Sequence, residues 1–192
     1  MKTKIIISVF LIVIVNSCDL FTTREPESPE NPSNNLIPAT TPEILFSNLE
    51  SSIESKVLEY YLSCFIDQTY LNKDYLFIAS GSALTQYPVL SSWDLNSERQ
   101  YFNNLSANLG EGSNITITFS EQTNNPQGDS SIYSLDYSMN IVSTNTTIAG
   151  DYKGSALFKI FLDSRNQWVI VEWQDIKKEN FSCWSDLKGK VY

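Results

Sequence analysis

The sequence predicts an α+β domain over residues 41–192, with helices first and an antiparallel sheet after them. Three observations carry this. Apolar and aromatic residues step by three and four from Phe46 through Leu49, Ile53, Val57 and Tyr60 to Cys64. Beyond Gly110 the period changes from about 3.6 residues to about 2. Two apolar runs, Tyr152–Leu162 and Trp168–Ile176, then flank the short polar turn Asp163–Gln167. Helices followed by a meander is the order of an α+β layer architecture. A domain of this size buries roughly 70% of its unfolded surface, so a real core is expected.

The chain opens on a different kind of segment. Lys2 and Lys4 precede an apolar run from Ile5 to Val15, broken only by Ser8, and Asn16-Ser17-Cys18 closes it. A basic start, a short apolar stretch and a small residue before a cleavage point make a secretory signal. The run falls short of the about 20 residues needed to span hydrocarbon. With Cys directly after Ser17, the segment resembles the lipobox of bacterial lipoproteins. That resemblance implies a signal peptide over 1–17, a palmitate-bearing Cys18 at the mature N-terminus, and attachment to a cell-envelope membrane, facing the periplasm or the exterior. Residues 18–40 read as a tether: Pro26, Pro29, Pro32 and Pro38 sit among Glu25, Glu27, Glu30 and several Asn and Ser. Such a composition cannot bury enough surface to offset its ordering entropy.

Charge and composition narrow the chemistry. The net charge is −9; loss of Lys2 and Lys4 takes 13 basic residues to 11 against 22 acidic, a net −11. A surface this acidic speaks against nucleic acid as a partner. There is no histidine, so neither a Ser-His-Asp nor a Cys-His nucleophile can be built from this chain alone. Beside Cys18, Cys64 and Cys183 remain. Two separate buried thiols are the simpler reading, and a Cys64–Cys183 disulfide, which an exported protein would keep, is the alternative.

In order along the domain, Thr41-Pro42-Glu43 is a helix start, with Thr41 as N-cap and Pro42 at the first helical position. One amphipathic helix is expected from there to about Phe65. A shorter helix is expected over Asn72–Ala79. Ser82–Trp93, with Pro88 inside it, is ambiguous. A third helix starts at Asp94 or Asn96, carries Tyr101, Phe102, Leu105 and Leu109 on one face, and ends at Gly110. Ile115–Phe119 alternates as a strand, Asn124–Asp129 is a turn, and Tyr133–Ile141 alternates cleanly as a long half-buried strand.

Two segments then suggest a family. Trp93-Asp94-Leu95-Asn96-Ser97-Glu98, followed by Tyr101-Phe102-Asn103-Asn104-Leu105, is similar to a stretch of small NTF2-like bacterial lipoproteins. The ending Trp168–Asp175, then Ser182-Cys183-Trp184-Ser185-Asp186-Leu187-Lys188-Gly189, resembles their last strand and tail. The resemblance implies an NTF2-like, SnoaL-like, cystatin-type cone: a long N-terminal helix and two shorter ones packed on a curved antiparallel sheet, with a pocket at the open end. It implies no chemistry, because this fold carries many functions.

Candidate pocket residues are Tyr60, Tyr61, Tyr133, Tyr137, Trp168 and Trp173, whose rings suit a sugar or flat apolar ligand, though their spacing equally suits a core. Asp136 lies on the opposite strand face from Tyr133 and Tyr137, either as a base or, more simply, as a solvated carboxylate. Asp163, Glu172 and Asp175 lack metal-ligand spacing, and no metal or cofactor is expected. Three functions are in view. The first is a non-catalytic envelope lipoprotein binding a small ligand or protein partner. The others are a histidine-free isomerase, dehydratase or hydrolase with an Asp/Tyr pair, and a structural accessory.

Overall fold

The computed structural model describes residues 37–178 and 180–192, with backbone only at 121 and 122. The signal, Cys18 and most of the tether lie outside the described residues. The tether's last residues do not: Ala39 is buried, and its carbonyl accepts the Trp168 N–H at 2.7 Å. Residues 37–40 thus belong to the domain rather than to the linker.

The first helix is α1, Pro42–Ser55, capped by the Thr41 hydroxyl, which accepts the Ile44 N–H. It does not run on to Phe65. Lys56 turns into the left-handed region at φ 60°, and its N–H closes on the Ile53 carbonyl at 3.2 Å. The chain restarts as α2, Leu58–Ser63. Val57 at the junction is β-branched, and the Lys56 ammonium donates to the Ser113 carbonyl at 2.5 Å, fixing the break against the start of the sheet.

The helix expected over Asn72–Ala79 is a strand, β1, Leu76–Ile78. Tyr75, Phe77 and Ser80 are buried while Leu76 and Ile78 are exposed, a period of two too short to read against its polar surroundings. Pairing to the free edge of the sheet decided it, since tertiary context overrides propensity in short segments. After it come α3, Gly81–Gln86, a 3₁₀ turn at Pro88–Ser92, and α4, Leu95–Leu109, capped by Asp94.

Four long strands follow: β2, Asn114–Gln127; β3, Ser130–Val142; β4, Gly150–Leu162; and β5, Trp168–Lys177. The sheet order is β1-β5-β4-β3-β2, antiparallel except that β1 runs parallel to β5. The turn expected over Asn124–Asp129 narrows to Gly128-Asp129, because β2 stays paired through Gln127. Pro126 is tolerated there because β2 is an edge strand. The tail folds as α5, Trp184–Val191.

On β3, Tyr133, Leu135, Tyr137, Met139 and Ile141 are buried, and the residues between them face outward. α1 lies on the buried face, with Phe46 against Tyr133 (5.1 Å) and Phe158 (5.5 Å). Glu50 and Glu54 of α1 accept the Phe119 and Ile117 N–H groups of the β2 edge at 2.9 and 3.3 Å. α5 closes the opposite end, Trp184 meeting Trp173 edge to face at 4.4 Å.

Candidate functional site

The interior of the domain is organised on a carboxylate absent from the residues singled out above. Glu98 sits on the apolar stripe of α4, three and four positions before Tyr101 and Phe102, and is fully buried. Lys188 occupies the equivalent stripe of α5 with Trp184, Leu187 and Val191 and is also fully buried. Its ammonium lies 2.5 Å from both Glu98 oxygens. Three further donors converge: Tyr61 OH at 2.5 Å and Tyr75 OH at 3.1 Å from α2 and the β1 approach, and Trp93 Nε1 at 2.7 Å.

Rings wall in the ammonium. Its nitrogen stands 3.9 Å from the Phe77 centroid, 4.1 Å from Trp173, 5.1 Å from Tyr101 and 5.2 Å from Trp93. Such faces attract a cation. Burial lowers the Lys188 pKa, against the pull of Glu98, which raises it. Burial also raises Tyr61 and Tyr75 well above the usual phenol range, with Glu98 adding to it, and both stay protonated donors. An ionised carboxylate offers about four lone-pair sites. Four donor groups meet them here.

A second network locks α5. Asp175 of β5 accepts from Tyr137 OH at 2.7 Å, and from the Ser185 N–H and hydroxyl at 2.6 and 2.5 Å. Tyr137 OH in turn accepts the Trp184 N–H at 2.7 Å. Asp175 thus sits at the positive end of a helix, where a carboxylate is stabilised.

Of the six aromatic candidates, the structure brings Tyr61 and Trp173 to the Glu98–Lys188 node and Tyr137 to the Asp175 network. Tyr133 packs under Phe46, while Tyr60 and Trp168 are half-buried at the periphery. Asp136 is on the outer face, where it accepts the Ser155 hydroxyl at 2.6 Å and pairs with Lys178. Cys64 and Cys183 are separate free thiols and form no disulfide. Cys64 donates to the Tyr60 carbonyl at 3.5 Å, and Cys183 lies 3.2 Å from the Ser80 hydroxyl. Among the described residues no group of three or more Cys, Asp or Glu is placed to hold a metal.

The open space lies elsewhere. A cleft of about 850 Å³ runs between α2, the loop after it and the start of α4, within the size range of small-molecule sites. The half-buried Leu62 and Leu95 give it apolar surface alongside the buried Phe65 and Tyr75, and Lys73, Arg99 and Arg165 line it. None of the six aromatic candidates lines it. Tyr75 belongs to both regions: it is among the residues lining the cleft, and its hydroxyl bonds Glu98.

Sequence patterning held a signal for the node. A charged residue on each of two apolar helical stripes, Glu98 and Lys188, is the mark of a buried pair.

No family model matches the sequence, and no curated protein does. Solved structures do. The chain is similar to a nuclear transport factor 2 (NTF2-like) superfamily protein from Salmonella enterica, with TM-score 0.53 and 9% identity over 71% of this chain and 88% of that one. It is similar to a candidate dehydratase of the NTF2-like family from Streptomyces avermitilis, with TM-score 0.52 and 11% identity over 71% and 94%. An NTF2-like protein from Cytophaga hutchinsonii gives TM-score 0.51 and 11% identity over 70% and 93%. The domain has the NTF2-like α+β fold, with its sheet left open. This fold hosts ligand-binding and catalytic proteins alike, so it leaves activity undecided.

Proposed function

We propose that this chain is a lipid-anchored envelope protein of a bacterial membrane, whose NTF2-like domain binds a small ligand or a protein partner without catalysis. The observation that supports the second half most is the saturation of Glu98. This buried carboxylate is paired with Lys188 and holds three more donors. Phe46, Phe158, Trp173 and Trp184 pack ring to ring inside the sheet, which favours recognition at the outer cleft. The anchor rests on the lipobox-like ending at Cys18.

Two experiments test this. Cells supplied with labelled palmitate should label the wild-type chain and not Cys18→Ser; a labelled Cys18→Ser refutes the anchor. Enolisable ketones and β-hydroxy esters incubated with the protein in D₂O should show no α-proton exchange above buffer. Exchange that Glu98→Gln abolishes would favour the histidine-free isomerase or dehydratase instead. That second reading has one specific observation in its favour, the carboxylate with two tyrosines in hydrogen-bond reach.

A further inference from the structure

The cleft departs from the rest of the surface in its cations. The domain carries two arginines in a chain of net charge −9, and both line this one cleft although they are 66 positions apart. The other basic side chains are committed. Lys56 bonds a carbonyl, Lys177, Lys178 and Lys188 pair with carboxylates, Lys190 donates to Tyr152, and Lys73, Lys153 and Lys159 lie over rings.

Arg165 is held in place. Its Nε and terminal nitrogen bond Asp163 at 2.8 and 2.6 Å, and its guanidinium stacks 3.9 Å over Tyr70. Only two of its five donors are used. Arg99, among the described residues, is the one basic side chain with no hydrogen bond, ion pair or ring partner. A guanidinium fork left open beside apolar surface matches a carboxylate bidentately.

The cleft's own acids set the limit on ligand charge. Asp94 caps α4, Asp67 accepts the Thr69 N–H, Asp74 accepts the Gln68 amide, and Glu59 lies at the rim. Four carboxylates against three cations disfavour a dianion such as phosphate far more than a monoanion. We propose that this cleft binds a small monocarboxylate with an apolar body, its carboxylate taken by Arg99 and its body lying on Leu62 and Leu95. This deepens the binding reading above and rests on it.

The test is calorimetric titration of the full chain in detergent with hexanoate, hexan-1-ol and inorganic phosphate. Wild type and Arg99→Ala are compared in the same detergent, so that partition into micelles cancels. Hexanoate should bind wild type at least tenfold more tightly than hexan-1-ol does, and weaken as salt is raised. Arg99→Ala should lose at least tenfold, and Arg99→Lys should retain part of the affinity. Arg99 is exposed, so both variants should keep the wild-type circular dichroism. Equal binding of hexanoate and hexan-1-ol, an unaffected Arg99→Ala, preferred binding of phosphate, or no binding at all would each overturn the assignment. None of these outcomes bears on palmitate labelling or on proton exchange, which judge the anchor and the non-catalytic reading separately.

Discussion

Lys188 and Glu98, ninety positions apart, meet at 2.5 Å with neither side chain reaching solvent. The contact ties the last helix to the helix that precedes the sheet, so the C-terminal segment is part of the core. Truncating one partner of such a pair leaves an uncompensated buried charge. We expect Lys188→Met to lose about 3–5 kcal/mol, read by equilibrium urea unfolding. The double variant Glu98→Gln with Lys188→Met should lose less than Lys188→Met alone, because no charge is left unpaired. A loss below about 1 kcal/mol for Lys188→Met would mean that water reaches the site.

This pair also shows where the sequence was legible and where it was not. Helix α4 and the alternation of β3 could be read because each depends on one continuous stripe of side chains. The closing helix was harder: its eight residues carry Gly189 and two lysines, and its apolar stripe has meaning only once Glu98 is facing it. β1 was misread because three residues give no period, and its strand character comes from β5, nearly a hundred positions later. Trp93, Glu98 and Lys188 all stood in the two segments that suggested the family. What sequence could not supply was that these segments touch. The cleft was invisible for the same reason: Arg99 and Arg165 become neighbours of one space only after the sheet has formed.

Asp94 gives a prediction in pH. Its carboxylate accepts the Ser97 N–H at 2.8 Å and the Ser97 hydroxyl at 2.9 Å. The backbone bond first, then the side-chain bond, hold its pKa below the ordinary 3.8. A depressed acid contributes stability that is full above its unfolded pKa and is lost as pH falls through the folded one. Asp94→Ala should therefore cost about 1 kcal/mol at neutral pH, the usual worth of an N-cap. The gap from wild type should close as pH drops below about 4, and Asp94→Asn should keep the cap without that pH dependence. Thermal melts from pH 7 down to the acid limit of folding check both. A gap of constant size across that range would remove the carboxylate from the cap.

The thiols predict an all-or-none titration. Burial pushes both Cys64 and Cys183 up to about 12, with Asp175 adding to the effect at Cys183. Since the thiolate is the reacting form, neither should react with a disulfide reagent at pH 8 while the domain is folded. The full-length Cys18→Ser chain should then release two equivalents on denaturation without reductant. Zero equivalents would show a Cys64–Cys183 bridge, and fast reaction before unfolding would show local opening of α5 or of the C-terminal end of α2, which Cys64 caps.

Gly189 tests how closely α5 is seated. A methyl group built there would overlap the Tyr87 ring at Cγ and Cδ2 and crowd its Cβ, 2.7 Å away. A change of χ1 would carry Cγ and Cδ2 away but leave Cβ, which the backbone fixes, so the backbone at Tyr87 and the 3₁₀ turn after it would have to shift. Glycine to alanine inside a helix ordinarily stabilises, by up to about 1 kcal/mol. Here the sign should reverse. Overpacking of a close contact costs about 1–3 kcal/mol, so Gly189→Ala should lower the urea midpoint without changing the slope. Because α5 also carries Lys188, the same variant should loosen the Glu98 pair and speed thiol exposure at Cys183, at the helix N-terminus, more than at Cys64. A stabilised Gly189→Ala protein, or equal acceleration at both thiols, would place α5 farther from Tyr87 than this packing requires.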